Sequence, residues 1–282
     1  APECCLQPSR FCWPLMISLP RARLPHSCPR SPSPSARRCW TQRPRHPPRR
    51  YFLRAAAGAA FYRCGEIHRL RGEFTKAEEG YTRAHERGRK PQPGLSLLRL
   101  AQGQIDAAAA SIRSALLDTQ EQISRARVLP AAVEILLAAD DLAAARAASA
   151  ELSEIALAFG APLLAAASAH ATGAMLLAEG DVEGASTSLR QACETWRGLE
   201  MAYEEAQTCL LLAAVCEKRG DQDGRRLEIE TARRLFKQLN AEPWLARIAE
   251  PSDRARQPAG SLSEREKQVL RLLAARKNNH PI

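Results

Sequence analysis

Five short turns punctuate the chain at Gly72-Glu73, Gly103-Gln104, Asp140-Asp141, Gly180-Asp181 and Gly220-Asp221, at steps of 31, 37, 40 and 40 residues. Glycine closing a helix adopts the left-handed conformation without a steric penalty, and an Asp just after it can cap the next helix. The last two turns are the plainest. Residues 163–179 form an Ala/Leu-rich run before Gly180-Asp181, and Ala185, Leu189, Ala192 and Trp196 follow at a spacing that places them on one helical face. Residues 203–219 precede Gly220-Asp221, with Leu227, Ala232 and Leu235 as the expected apolar face beyond it. A recurring period of this size predicts stacked pairs of helices.

Superimposing the turns exposes a second, independent pattern. Five residues after each turn begins stand Ala77, Ala108, Ala145, Ala185 and, as the exception, Arg225. Seven further on are Ala84, Ala115, Leu152, Ala192 and Ala232, and seven before the turns are Gly65, Ser96, Val133, Gly173 and Ala213. Small residues at facing positions let two helix backbones approach closely. This set, most completely Phe61, Gly65, Ala77, Tyr81 and Ala84, resembles the tetratricopeptide repeat over roughly residues 55–240. The expected fold is all-α, a tetratricopeptide-like helical-hairpin repeat array (an α-solenoid, right-handed) over residues 51–249.

Proline sharpens the boundaries. The first hairpin is expected over residues 51–71 and 74–87, and Pro91 and Pro93 break the chain before a short helix over 95–101. A run over 107–124 follows. Pro130 and Pro162 are expected near the starts of the third and fourth first-helices, where the missing N–H has no intrahelical partner to lose.

The net charge of +10 invites a nucleic-acid reading, but its distribution does not support one for the folded part. Residues 1–50 hold ten Arg against Glu3 alone, so residues 51–282 carry only +1. The same segment has 11 of the 19 Pro and 5 of the 9 Cys, a composition expected to stay disordered because it buries too little apolar surface. A first residue of Ala and an Arg-to-Lys ratio of 35 to 6 suit a fragment translated from a high-GC genome. Its one apolar stretch, residues 11–19, is broken by Pro14 and too short for a membrane span, so no membrane partner is expected.

Little points to catalysis or to a cofactor. The cysteines of residues 1–50 lack zinc-ligand spacing, and Cys209 and Cys216 sit among Leu210, Leu211, Leu212 and Val215 as small hydrophobes, which suits a reducing cytoplasm. There is no Gly-Lys pair for a phosphate loop. His68, His85 and His170 stand on helices without a relay around them, and Glu78-Glu79, Asp140-Asp141 and Glu204-Glu205 read as caps and solvated faces. The chain is not expected to be an enzyme, and no metal or cofactor is implied. Helical repeats work by presenting the concave surface lined by their first helices. The register points Tyr62, Glu66 and Arg69 of the first repeat, and His170, Ala174 and Leu177 of the fourth, toward that surface, as candidates for a protein or small-molecule effector.

Residues 250–260 are a polar linker containing Pro251, Pro258 and Gly260. A new helix is expected after it, with Ser263 and Glu266 as a capping box and Val269, Leu270, Leu273 and Ala274 as its apolar stripe. Leu262, Ser263, Arg265, Glu266, Val269, Leu270, Leu272, Ala274, Asn279 and Ile282 fall in register with the first helix and turn of the LuxR-type helix-turn-helix domain, which this stretch closely resembles. The segment over 240–248, with Pro243, Trp244 and Leu245, and the repeats before it look like the helical region that precedes that domain in actinobacterial regulators. The resemblance implies a transcriptional regulator whose full-length relatives bind DNA. Arg276 replaces the family's Gly, Pro281 falls inside the second helix, and the recognition helix that supplies base contacts is not present. Residues 261–282 are thus expected to be an incomplete helix-turn-helix, with DNA binding lost in this chain. The competing expectation is a free-standing adaptor that binds a protein partner.

Overall fold

The structure, a computed structural model, describes residues 49–248, with side chains from residue 54 onward. Every element among the described residues is a helix: α1 (Arg49–Leu70), α2 (Phe74–Glu86), α3 (Gly94–Ala101), α4 (Ile105–Leu117), α5 (Gln122–Ala138), α6 (Leu142–Phe159), α7 (Pro162–Glu179), α8 (Val182–Gly198), α9 (Ala202–Arg219), α10 (Gln222–Leu239) and α11 (Glu242–Ile248). The all-α repeat array expected from the turns is therefore the fold, with each turn joining the two helices of one hairpin. Arg49 and Arg50 belong to α1 rather than to the preceding segment. The expectations for residues 1–48, for the linker over 250–260 and for the helix-turn-helix start over 261–282 lie outside the described residues.

The turns are built as their chemistry dictates. Gly72, Gly103, Gly180 and Gly220 all have positive φ, and Asp140 takes the same left-handed conformation where the third turn lacks glycine. Asp141, Asp181 and Asp221 then accept hydrogen bonds from the backbone N–H of Ala144, Gly184 and Gly224 at 3.1, 2.9 and 2.8 Å, capping α6, α8 and α10. Glu73 and Gln104 occupy the corresponding sites of α2 and α4 without a side-chain cap.

The small-residue register is the packing code. Ala77, Ala108, Ala145 and Ala185 are wholly buried, as are Ala84, Leu152, Ala192 and Ala232 twelve residues after their turns begin. Gly65, Ser96, Val133, Gly173 and Ala213 are buried opposite them. A Cβ on Gly80 would lie 2.9 Å from the Gly65 backbone, and one on Gly173 only 2.5 Å from Leu189 Cγ. Where the backbones approach this closely there is no room for a methyl group. Leu189 fills the resulting notch and is itself fully buried, a burial worth roughly 1.5–3 kcal/mol.

Three details depart from the sequence reading. Pro130 lies in the middle of α5, not at its start; its missing N–H leaves one helical bond unmade, and the flanking Leu129, Ala131 and Ala132 are buried and hold the helix through it. The expected run over 107–124 is two helices, because α4 ends at Leu117 and α5 begins at Gln122. Leu227 does not face the core; it is 68% exposed on α10, whose buried face is Ala232, Leu235 and Phe236.

Helix order sets the curvature. The first helices α1, α3, α5, α7 and α9 pack side by side in succession, whereas the second helices pack against their own hairpin partners and the following first helix. A layer whose members touch lies inside a layer whose members are spread, so the first helices form the concave side. The arc brings the first turn against α11. A Cβ on Gly72, in the first turn, would stand 3.0 Å from Cγ of Pro243 in α11.

Candidate functional site

The concave face gathers polar side chains from helices far apart in sequence. On α1, Arg69 is 93% buried, with a relative exposure of 7%, and its Nη2 donates to Glu66 Oε2 at 2.9 Å. The other Glu66 oxygen accepts from the Tyr81 hydroxyl. Tyr62, one helical turn back, accepts a hydrogen bond from the Gly94 N–H at 3.1 Å and sets its ring against Tyr81 with centroids 5.5 Å apart. Burial pushes the Tyr62 phenol up, and Glu66 pushes it further, so it stays neutral. Burial lowers the Arg69 guanidinium, yet Glu66, Tyr203 and Tyr81 outweigh it and raise the group well above its usual range.

From the opposite side of the arc, α9 brings Tyr203, Glu204 and Thr208. The Tyr203 hydroxyl lies against the Arg69 guanidinium, and Arg69 and Glu66 are the charged groups felt by Glu204. Burial raises the Glu204 carboxyl from 4.5 to about 8, and its Oε2 has no hydrogen-bond partner. Glu134 on α5 is raised in the same way by burial, opposed by Arg69 and by Arg247 of α11. The Arg247 guanidinium sits 4.5 Å from the centre of the Trp244 ring, which in turn stacks on Phe236. Both Glu134 and Glu204 are only partly exposed, and the protein around them desolvates their carboxyls.

His170 on α7 completes the face, and its tautomer follows from proton counting. Thr208 has one hydroxyl hydrogen and donates it to the Glu204 carbonyl at 2.7 Å. The 2.8 Å contact between Thr208 Oγ1 and His170 Nδ1 is therefore donated by the imidazole. Burial lowers the His170 pKa from 6.5 to about 4, so the ring is neutral, protonated on Nδ1, with Nε2 left as an acceptor.

The four groove residues read from sequence thus divide. Tyr62, Glu66 and Arg69 come together with Tyr81, Glu66 and Arg69 also act on Glu204, and His170 joins α9 through Thr208. Leu177, expected beside them, is instead core, because it packs with Ala185, Leu189 and Leu212. Glu204 and Glu205 do not lie on a solvated face: Glu205 is buried and accepts from Arg197 Nε at 3.0 Å, and Glu204 is only partly exposed, with Glu66 and Arg69 as its charged neighbours. Glu134 was legible in principle, since it stands six residues before its turn as Glu66 does before its own. Tyr203, Glu204, Thr208 and Arg247 had no such signal, because their role comes from closure of the arc.

Among the described residues no group of His, Cys, Asp and Glu is arranged to hold a metal ion, and no helix is long and apolar enough to cross a membrane. The helix-turn-helix candidates Leu262, Ser263, Arg265, Glu266, Val269, Leu270 and Asn279 lie outside the described residues. No family model matches the chain, and no curated protein matches it.

Proposed function

We propose that the helical array is the effector-responsive part of a LuxR-type transcriptional regulator working in the cytoplasm. The observation that carries the regulatory half of this reading is the polar cluster of Glu66, Arg69, Glu134, Glu204 and His170 on one concave face, drawn from four first helices and joined by no continuous hydrogen-bond network. A purely structural interior would satisfy or omit such groups. The LuxR half rests on the register of residues 262–282 with the start of that DNA-binding domain.

The array itself is not the DNA-binding element, since residues 51–282 carry a net charge of only +1 and offer no phosphate-binding field. The test is a mobility-shift titration of residues 49–275 joined to a complete LuxR-type DNA-binding domain, beside residues 51–282 alone. The joined protein is expected to bind a promoter fragment specifically, with Arg69→Ala altering that binding, and residues 51–282 to show no specific binding. Any binding by the 282-residue chain should come from the Arg-rich segment, ignore sequence and fade between about 50 and 200 mM salt. Specific, salt-tolerant binding by residues 51–282 overturns the reading, and indifference of the joined protein to Arg69→Ala removes the effector role.

A further inference from the structure

We propose that Cys193 of α8 and Cys209 of α9 are a peroxide-responsive pair, closing into a disulfide that staples the fourth hairpin to the fifth. The proposal goes beyond the effector reading above and does not rest on it.

The geometry is that of two thiols already in contact. Their Sγ atoms lie 4.0 Å apart across the α8–α9 interface, and both side chains belong to the core that also holds Leu189, Ala206 and Leu212. A disulfide needs about 2.0 Å, so the sulfurs must close by roughly 2 Å, a distance that rotation about the Cα–Cβ bonds can cover. Cys216, the other cysteine of α9, stands two helical turns further on, about 10 Å along the axis. It packs instead beside Gly224, where a Cβ would lie 3.1 Å from its Sγ.

The surroundings set the order of oxidation. Arg197 Nη2 donates to Cys193 Sγ at 3.8 Å while its Nε donates to Glu205 at 3.0 Å, so a guanidinium is anchored beside that sulfur. The hydrogen bond from the Cys209 thiol lowers Cys193, and Arg197 assists it against burial and the carboxylates of Glu205 and Glu228. The same hydrogen bond and burial raise Cys209. Exposure points the same way, since Cys193 keeps 6% of its surface and Cys209 none. Cys193 is thus the thiolate that meets the oxidant, and Cys209 is the thiol that resolves it. The Cys193 thiolate attacks one oxygen of hydrogen peroxide, the O–O bond breaks, and the departing hydroxide takes up the proton that Cys193 lost on ionising. Cys209 then attacks the sulfenic acid sulfur, the S–O bond breaks, and the hydroxyl leaves as a second water with the Cys209 proton. The two thiols supply the two electrons that the peroxide accepts. Neighbouring repeats touch only through interfaces such as α8 with α9, so this bond fixes one hairpin against the next until a dithiol reduces it.

The test treats the folded whole chain with hydrogen peroxide, blocks the remaining thiols and digests with trypsin in the absence of reductant. Mass spectrometry should find residues 191–197 joined to residues 198–218, the peptides bounded by Arg190, Arg197 and Lys218. The same link should form in Cys216→Ala, which leaves Cys209 as the one cysteine of the second peptide. It should form at a rate independent of protein concentration, keep the helical circular dichroism and disappear on adding dithiothreitol. In Cys209→Ala, dimedone should trap a sulfenic acid on Cys193, whereas Cys193→Ala should give no adduct on Cys209. The oxidised chain should melt at a higher temperature than the reduced one, with that part of the shift lost in Cys209→Ala. A folded chain that forms no such link, or forms it only in urea, overturns the proposal. A link through Cys216 overturns the pairing, a dimedone adduct on Cys209 alone overturns the order of steps, and a melting temperature that does not rise overturns the staple.

Discussion

Gly72 and Pro243 touch across the closure of the arc: a Cβ on the glycine would lie 3.0 Å from the proline Cγ and 3.3 Å from its Cδ. The turn of the first repeat therefore rests on α11. Gly72 and Gly180 both have positive φ, but a Cβ on Gly180 would meet nothing within 4 Å. Gly180→Ala should cost about 1–2 kcal/mol from the left-handed backbone alone. Gly72→Ala should cost more and also expand the molecule, as small-angle scattering would register. Equal costs and unchanged dimensions would mean that the closure contributes nothing.

Overpacking tests the hairpin register. Ala185 and Ala192 are fully buried between α7, α8 and α9, so Ala185→Leu or Ala192→Leu should destabilise the chain by about 1–3 kcal/mol in urea melts. Ala178→Leu, on the exposed side of α7, is the control and should stay within about 0.5 kcal/mol. A neutral result at both buried positions would contradict the packing.

Capping gives a graded series. Removing the carboxylate in Asp181→Ala or Asp221→Ala should cost about 1 kcal/mol each, through the lost bonds to Gly184 and Gly224. Asp141→Ala also loses the 2.6 Å ion pair with Arg113, which is exposed and worth no more than about 1 kcal/mol. The excess cost of Asp141→Ala should therefore vanish in high salt, and thermal melts at two ionic strengths would show it.

The pH profile follows from two opposed shifts. Glu204 has a folded pKa of about 8 against 4.5, so the folded state holds its proton longer and stability falls as pH rises from about 4.5 to 8. Glu134 acts in the same direction. His170 is lowered from 6.5 to about 4, so its contribution rises over that window as pH rises. The two trends oppose each other between pH 4.5 and 6.5, and the fall from Glu204 is unopposed by His170 between 6.5 and 8. Glu204→Gln should flatten that upper limb, gaining most near pH 8, with a ceiling of about 5 kcal/mol. His170→Gln should remove the loss on acidification below pH 6.5. A wild-type profile that rises from pH 6.5 to 8 would exclude a buried, protonated Glu204.

Much of the hairpin architecture was legible because its causes are local. A Gly-Asp pair needs only its own backbone to turn and cap, and alanines seven apart lie on one helix face whatever surrounds them. The same offsets placed Tyr62 and His170, each ten residues before its turn, and Glu66 six before its own. Reading went wrong where a neighbour in space decided the matter. Leu227 has the hydropathy of a core residue, but the buried face of α10 is taken by Ala232, Leu235 and Phe236. Pro130 has the chemistry of a helix start, yet packing of Leu129, Ala131 and Ala132 carries α5 through it.

By itself the sequence determined that this chain builds helical pairs, where they turn and which faces they press together, since these depend on spacing within about ten residues. Only the tertiary structure decided that the first turn and α11 meet, because the arc sums small rotations over five hairpins that no local motif encodes. Tertiary packing also buries Glu204 beside Glu66 and Arg69, which lie more than a hundred positions before it in the chain. A glutamate in a solvated helix and Glu204 have the same letters around them, and burial, with the charges of Glu66 and Arg69 more than a hundred positions away, makes them different acids.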